Sequence, residues 1–236
     1  MITLIIGPTS VGKTGESVKL AKESGAPVIS MDRIQCLRGV YVGSGRPTGD
    51  ELEGTRRIYL DDDRPLFKGE LDIEVAMHRL MTIAGTALSE CGQVIVEGGS
   101  ISMIERLAAD TSWMAAAPIK AVCLLPRDTQ EYGRRIQKRV AAMVGYHRGL
   151  DTMQQEIARA WYTHSAVPGV LRRICGYREI IGMAARRGLI APQVAEIQLR
   201  AECMAAVVGA HLAYASLQQQ AMRRAMRSLR GCIIEV

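Results

Sequence analysis

Phenylalanine occurs once in this sequence, tryptophan twice, and aromatic residues make up only 4% of it. The basic stretch Arg223-Arg-Ala-Met-Arg-Ser-Leu-Arg230 has no aromatics interleaved with its charges, so it reads as a solvated helix end and not as a grip on nucleic acid. No run of about 18 apolar residues exists, which excludes a membrane-spanning helix. The apolar start, Met1–Ile6, is too short for a secretory h-region, and Gly7 ends it. The six cysteines, at 36, 91, 123, 175, 203 and 232, contain no C-x-x-C pair. That spacing argues against a zinc site or a disulfide framework, and reduced thiols in a cytoplasm are expected. His78, His147 and His164 share no metal-ligand spacing. Internal repeats and low-complexity tracts are missing too.

What is present is an ordinary globular balance: 236 residues, 48% hydrophobic and 23% charged, with a net charge of +6. The positive balance suits anionic ligands or a plain solvated surface equally well. β-rich runs at Ile2–Ile6, Pro27–Ser30, Gln93–Val96 and Ile119–Leu125 alternate with helical stretches at Lys13–Glu23 and Leu71–Glu90. Such alternation predicts an α/β fold with a mostly parallel sheet. Beyond about residue 127 the pattern turns helical, over 128–144, 152–165, 176–187 and 194–230, before a short Cys232–Val236 run. The expected organisation is an α/β domain over 1–145 and a smaller helical substrate-binding domain over 146–236.

The segment Gly7-Pro-Thr-Ser-Val-Gly-Lys-Thr14 matches G-x-x-x-x-G-K-[ST] between a strand and a helix. Glycines allow the backbone to curl so that its N–H groups surround phosphate oxygens. The following helix adds the positive end of its dipole, and Lys13 a mobile charge. The Thr14 hydroxyl is the expected Mg²⁺ contact. A P-loop alone does not name a reaction, since kinases, other NTPases and some transferases share it.

Asp32 follows the second strand, where a parallel sheet opens its ligand crevice. Three roles are open to it from position: general base, Mg²⁺ ligand, or cap for the residues after it. The Gly43-Ser-Gly-Arg-Pro47 loop either folds over a ligand or is a plain connector. Arg135 and Arg139 stand at i, i+4 and share a helix face, with a solvated basic surface as the alternative.

Ser30-Met-Asp-Arg-Ile-Gln35, Val42-Gly-Ser-Gly-Arg-Pro-Thr48 and Glu97-Gly-Gly-Ser-Ile-Ser102, spaced behind this P-loop, resemble the bacterial adenylate isopentenyltransferases and the related tRNA dimethylallyltransferases. Thr55–Asp61, Arg135–Arg139 and Gly176–Glu179 extend the resemblance over residues 1–220. It implies a P-loop NTPase-like sheet and transfer of a dimethylallyl group from dimethylallyl diphosphate to the N6 amine of AMP. ADP or ATP is a further acceptor to weigh, Mg²⁺ is the cofactor, and the reaction opens cytokinin biosynthesis. By this resemblance Asp32, Thr9 and Arg139 are catalytic. Gly7, Ser10, Gly12, Lys13 and Thr14, with Arg135, hold the diphosphate. Ser44, Arg46, Gly98, Gly99 and Ser100 face the nucleotide. Cys175, Tyr214 and His211 line the prenyl-tail pocket.

Relatives that accept the 4-hydroxylated donor carry Asp where Cys175 stands here and His where Tyr214 stands. The resemblance therefore implies a less polar tail pocket and a preference for the plain dimethylallyl donor. Three rival readings are a tRNA-modifying enzyme, a small-molecule kinase and a non-catalytic nucleotide-binding module. The tRNA enzymes carry an inserted helical region for which Asp110–Pro118 leaves little room, so a nucleic-acid partner is not expected.

Overall fold

The structure is a computed structural model, and it describes residues 1–110, 113, 117–145, 151–196, 201–229 and 232–236. Its centre is a parallel six-stranded sheet: β1 (Ile2–Ile6), β2 (Val28–Ser30), β3 (Arg57–Tyr59), β4 (Val94–Gly98), β5 (Ile119–Leu125) and β6 (Cys232–Glu235), in the order β3-β2-β4-β1-β5-β6. The expected α/β, P-loop NTPase-like fold is thus realised. Two strands extend the expected sheet: β3, not anticipated as a strand, lies beyond β2, and the C-terminal run joins the far edge beside β5.

Helices α1 (Lys13–Ser24), α2 (Gly49–Leu52), α3 (Ile73–Cys91) and α4 (Ile101–Ala109) lie within the first part of the chain. They are followed by α5 (Thr129–Val144), α6 (Met153–His164), α7 (Tyr177–Arg186), α8 (Ala191–Glu196) and the long α9 (Ala201–Leu229). Their ends follow local chemistry. Asp72 and Asp128 each accept two backbone N–H groups at the starts of α3 and α5, and Thr152 forms a capping box with Gln155 at α6. Left-handed Gly25 and Gly92 close α1 and α3.

Side chains alternate across the sheet, so neighbouring residues of one strand enter different cores. Ile5, Val28 and Val122 pack with α5, α6 and α7, whereas Leu4, Ile6 and Val96 pack with α3 and α4. The expected boundary at 145–146 falls just past α5. Beyond it, Met153, Ile157 and Val207 share one continuous core with Ile5 and Val122. Helix α9 crosses between the two cores: Val207 and Ala215 lie in the first, Met222 and Met226 in the second. Among the described residues no helix is long and apolar enough to cross a membrane. His147, Arg148 and Arg230 lie outside the described residues.

Candidate active site

Strand register brings three chain segments to one point. Glu97 lies between Ile5 of β1 and Ser30 of β2, so the P-loop, the Asp32 turn and the Gly98–Ser100 turn all leave the sheet at its carboxyl edge. Helices α5, α7 and α9 wall the same opening, enclosing a cleft of about 1090 Å³. Single-ligand pockets run to roughly 1,000 Å³, so this cleft has room for two small substrates.

The P-loop has the expected shape. Gly12 takes φ 106°, a left-handed conformation that glycine adopts freely, and α1 begins at the next residue. The Lys13 ammonium lies on the loop's own Pro8 carbonyl at 2.8 Å. Desolvation in the cleft lowers its pKa to about 8, while Glu97 pulls the other way. Ser10 sits at φ 60°, and its hydroxyl is buried with no partner among the described residues. Such an orphan hydroxyl at the mouth of the loop leaves hydrogen-bonding capacity for a ligand oxygen or a water. Thr9 has its backbone held on both sides: its N–H donates to Gln218 Oε1 at 2.8 Å, and its carbonyl accepts from the Tyr132 hydroxyl at 2.6 Å.

Behind the loop lies a buried polar cluster. Glu97 Oε2 accepts from Ser17 Oγ at 2.7 Å and from Arg57 Nη1 at 2.8 Å, and Glu97 Oε1 from the Thr14 hydroxyl at 3.3 Å. Side chains Arg57 and Glu97 are only 2% and 5% exposed. Burial disfavours the Glu97 charge, but Arg57, Lys13 and Ser17 outweigh it and hold the carboxyl below its ordinary pKa. Among the described residues no cluster of three or more His, Cys, Asp or Glu side chains is arranged to hold a metal. The donor set still fits Mg²⁺ in its usual phosphate-bound form, with one protein hydroxyl and the rest from substrate oxygens and water.

Of the three roles open to Asp32, the cap is the one its hydrogen bonds fill. Its Oδ1 accepts the N–H of Ile34 at 2.8 Å and of Gln35 at 3.2 Å, which fixes the turn after β2. The same carboxylate lines the cleft. Burial raises its pKa, opposed by those two N–H groups and by Lys13 and Arg57. A carboxylate held in one orientation with raised basicity is what a general base needs.

The loop after Val40 is fixed in place. Ser44 lines the cleft, and its hydroxyl donates to the Tyr41 carbonyl at 3.1 Å. Gly45 O accepts from Arg139 Nη2 at 3.2 Å and from Gln35 Nε2 at 3.3 Å. Arg139 is thereby oriented across the opening, with Arg135 on the same helix face. Arg135 also meets Glu131 at 3.4 Å on the exposed side. Arg46 is placed elsewhere: its guanidinium stacks 3.6 Å from the Tyr59 ring centroid and pairs with Asp62 at 2.9 Å, so it braces the loop from outside the cleft.

Gly98, Gly99 and Ser100 also line the cleft, and Ser100 Oγ lies 3.3 Å from Ser102 Oγ. Cys175, His211 and Tyr214 come together on the helical wall. Burial pushes the Cys175 thiol up to about 12, raises the Tyr214 pKa and lowers that of His211, so all three are neutral near pH 7. His211 Nδ1 is 2.9 Å from the Val207 carbonyl. Together they form a polar but uncharged patch.

Several working residues lie outside the expected set. Glu156 of α6 is buried and accepts the N–H groups of Tyr41 at 2.7 Å, Val42 at 2.9 Å and Gly43 at 3.2 Å, together with the Tyr177 hydroxyl. Arg33 lines the cleft, held by Glu70 at 3.3 Å and the Leu71 carbonyl at 2.7 Å. Gln218 and Tyr132 secure the P-loop. Glu156, Gln218 and Tyr132 are single polar residues within helices of apolar periodicity, where no sequence pattern marks them, whereas Arg33 and Tyr177 lie inside the Ser30–Gln35 and Gly176–Glu179 segments without being singled out.

The chain has close relatives among known proteins. The chain is 36% identical over 222 residues to an adenylate dimethylallyltransferase of Agrobacterium tumefaciens (strain T37), covering 93% of this chain and 90% of that protein. A second protein of that name, from Allorhizobium ampelinum, is 35% identical over 219 residues, covering 92% of each. Among solved structures, a tRNA isopentenylpyrophosphate transferase from Bacillus halodurans superposes with a TM-score of 0.71 at 18% identity, covering 99% of this chain and 89% of that one. A eukaryotic dimethylallyltransferase acting on tRNA gives a TM-score of 0.71 at 14% identity, with 73% of that chain covered. At such identities the two structures speak for the shared fold alone. The sequence model of the isopentenyl transferase family matches residues 1–231, and this chain belongs to that family.

Proposed function

We propose that this protein transfers the dimethylallyl group of dimethylallyl diphosphate to the N6 amine of AMP, releasing diphosphate, as the entry reaction to cytokinins in a cytoplasm. The observation that carries the reading is the shared cleft of the P-loop and Asp32, an anion cradle facing a fixed carboxylate of raised pKa. The curated relatives bearing the name adenylate dimethylallyltransferase support the acceptor.

The chemistry follows from the residues. The allylic C1–O bond breaks, and its electron pair leaves with the diphosphate. Lys13, Arg139 and the loop N–H groups stabilise that charge, with Ser10 and Thr9 nearby. The N6 lone pair forms the new C–N bond. Adenine N6 is a weak nucleophile because its lone pair is delocalised into the ring, so Asp32 orients the amine and takes its proton. Thr14 is the residue to hold Mg²⁺, with Glu97 behind it, and the ion would add charge neutralisation at the leaving group. Ser44 with the Gly98–Ser100 turn would seat the nucleotide. Cys175, Tyr214 and His211 would line the prenyl tail.

The test is product analysis by mass after incubation with Mg²⁺, dimethylallyl diphosphate and each of AMP, ADP, ATP and unmodified tRNA. Prenylated AMP is expected as the main product. Prenylated tRNA with no nucleotide product would reverse the reading, as would ATP-dependent phosphorylation without prenyl transfer. Asp32→Ala is expected to bind nucleotide and lose turnover by about 10²–10⁴-fold. Unchanged turnover would remove Asp32 from the base role.

A further inference from the structure

Among the described residues, Thr9 is the P-loop residue whose N–H and C=O are both gripped by side chains from outside the loop. Tyr132 of α5 donates its hydroxyl to the Thr9 carbonyl at 2.6 Å, and Gln218 of α9 accepts the Thr9 N–H at 2.8 Å. The Gln218 amide then donates from Nε2 to the Gly99 carbonyl at 2.7 Å. Gln218 is 4% exposed, and its two bonds span the two glycine turns that leave β1 and β4. The turns meet so closely that a Cβ on Gly99 would lie 2.9 Å from Gln218 Nε2 and 3.0 Å from the Gly7 carbonyl. An amide side chain offers, on two separate atoms, the acceptor and the donor this bridge uses. A carboxylate supplies the acceptor alone and adds negative charge beside an anion site, and an apolar side chain supplies neither.

We infer that Gln218 and Tyr132 are positioning residues for the diphosphate-binding loop, fixing the Thr9 peptide against the Gly98–Gly99 turn so that the loop holds its anion-binding shape. The inference rests on the reading of this loop as the diphosphate site. Neither residue need touch the reacting atoms. Both act through Thr9, one from each helical wall. The C-terminal helix is thereby part of the donor half of the site, although it lies 209 positions from the loop it holds.

The experiment measures binding of inorganic pyrophosphate with Mg²⁺, and separately of AMP, to the full chain by calorimetry. Variants Gln218→Met, Gln218→Glu, Tyr132→Phe and Lys13→Ala are compared with the parent, each checked for folding by thermal melting. Gln218→Met is expected to weaken pyrophosphate by about tenfold, Gln218→Glu by more, and Tyr132→Phe by about three- to tenfold. AMP affinity is expected to stay within about twofold in Tyr132→Phe, which touches no nucleotide-seating residue, and to fall less than pyrophosphate affinity in the Gln218 variants, which also release the Gly99 carbonyl. Equal losses for both ligands, or none for pyrophosphate, would overturn the assignment. If a Gln218 variant fails to fold, Tyr132→Phe decides by the same criterion, since it removes one hydroxyl and keeps the ring. Lys13→Ala reports on the underlying reading: if the parent and Lys13→Ala bind pyrophosphate alike, the loop is not the diphosphate site. If only Lys13→Ala weakens it, the loop reading stands and the positioning role falls.

Discussion

Tyr177 of α7 and Glu156 of α6 meet in a buried hydrogen bond, and together they fasten the loop that carries Ser44. Glu156 takes four donors, three of them consecutive backbone N–H groups of residues 41 to 43. The loop then passes its position to Arg139 through the Gly45 carbonyl. Glu156→Gln turns an amide NH₂ toward donors that lose their acceptor. The expected cost is about 1–3 kcal/mol, a fall in Tm of about 3–10 °C for a chain of this size. KM for the nucleotide is expected to rise more than KM for the prenyl donor. Melting curves and two-substrate kinetics check both.

The cleft also sets a pH window. In the proposed reaction Asp32 takes a proton and so must be ionised, and burial raises its pKa. Lys13, proposed to hold diphosphate, must be charged, and desolvation lowers its pKa to about 8. Activity therefore falls as pH drops through the raised Asp32 value, and again as pH rises past about 8. A bell-shaped profile of kcat/KM is expected, since that ratio reports the free enzyme. An alkaline limb near 10.5 instead would mark Lys13 as an ordinary solvated lysine.

Arg57 and Glu97 make a second prediction about stability. Removing one member of a buried pair strands the other charge, at a cost of about 3–5 kcal/mol. Arg57→Met is expected to lose that much in denaturant unfolding. Arg57→Met combined with Glu97→Gln is expected to recover most of it, because no uncompensated charge remains.

Donor choice tests the tail pocket. With neutral Cys175 and Tyr214 beside His211, the plain dimethylallyl donor is expected to win over its 4-hydroxylated analogue in kcat/KM. Cys175→Asp with Tyr214→His adds acceptor and donor capacity for a hydroxyl. It is expected to shift the ratio toward the hydroxylated donor by about tenfold or more. Competition between the two donors measures it.

The P-loop, strands β1, β2, β4 and β5, and most long helices were legible because each has its own periodicity or glycine signature. Strand β3 was not: Arg57-Ile-Tyr59 is as short as β2 but half-buried and led by a charge, with no apolar run like Val28-Ile29, and only its pairing with β2 makes it a strand. Arg46 illustrates the limit at the site. Its loop was marked by glycines, but Tyr41, Tyr59 and Asp62, which turn it outward, come together only in three dimensions. Glu156 and Gln218 sit in helices where apolar spacing is the visible signal. A lone buried polar residue there has no pattern, and its partners lie more than a hundred positions away.

The path of α9 has a consequence for how the protein comes into being. Synthesis delivers the P-loop first and Gln218 209 positions later. At ~5–20 residues per second that gap is about 10–40 s. During it the emerging sheet carries a phosphate loop whose Thr9 N–H has no Gln218 to meet and whose cleft lacks the wall bearing His211 and Tyr214. On the proposed reading, a nascent chain is expected to hold the prenyl donor poorly until α9 is in place.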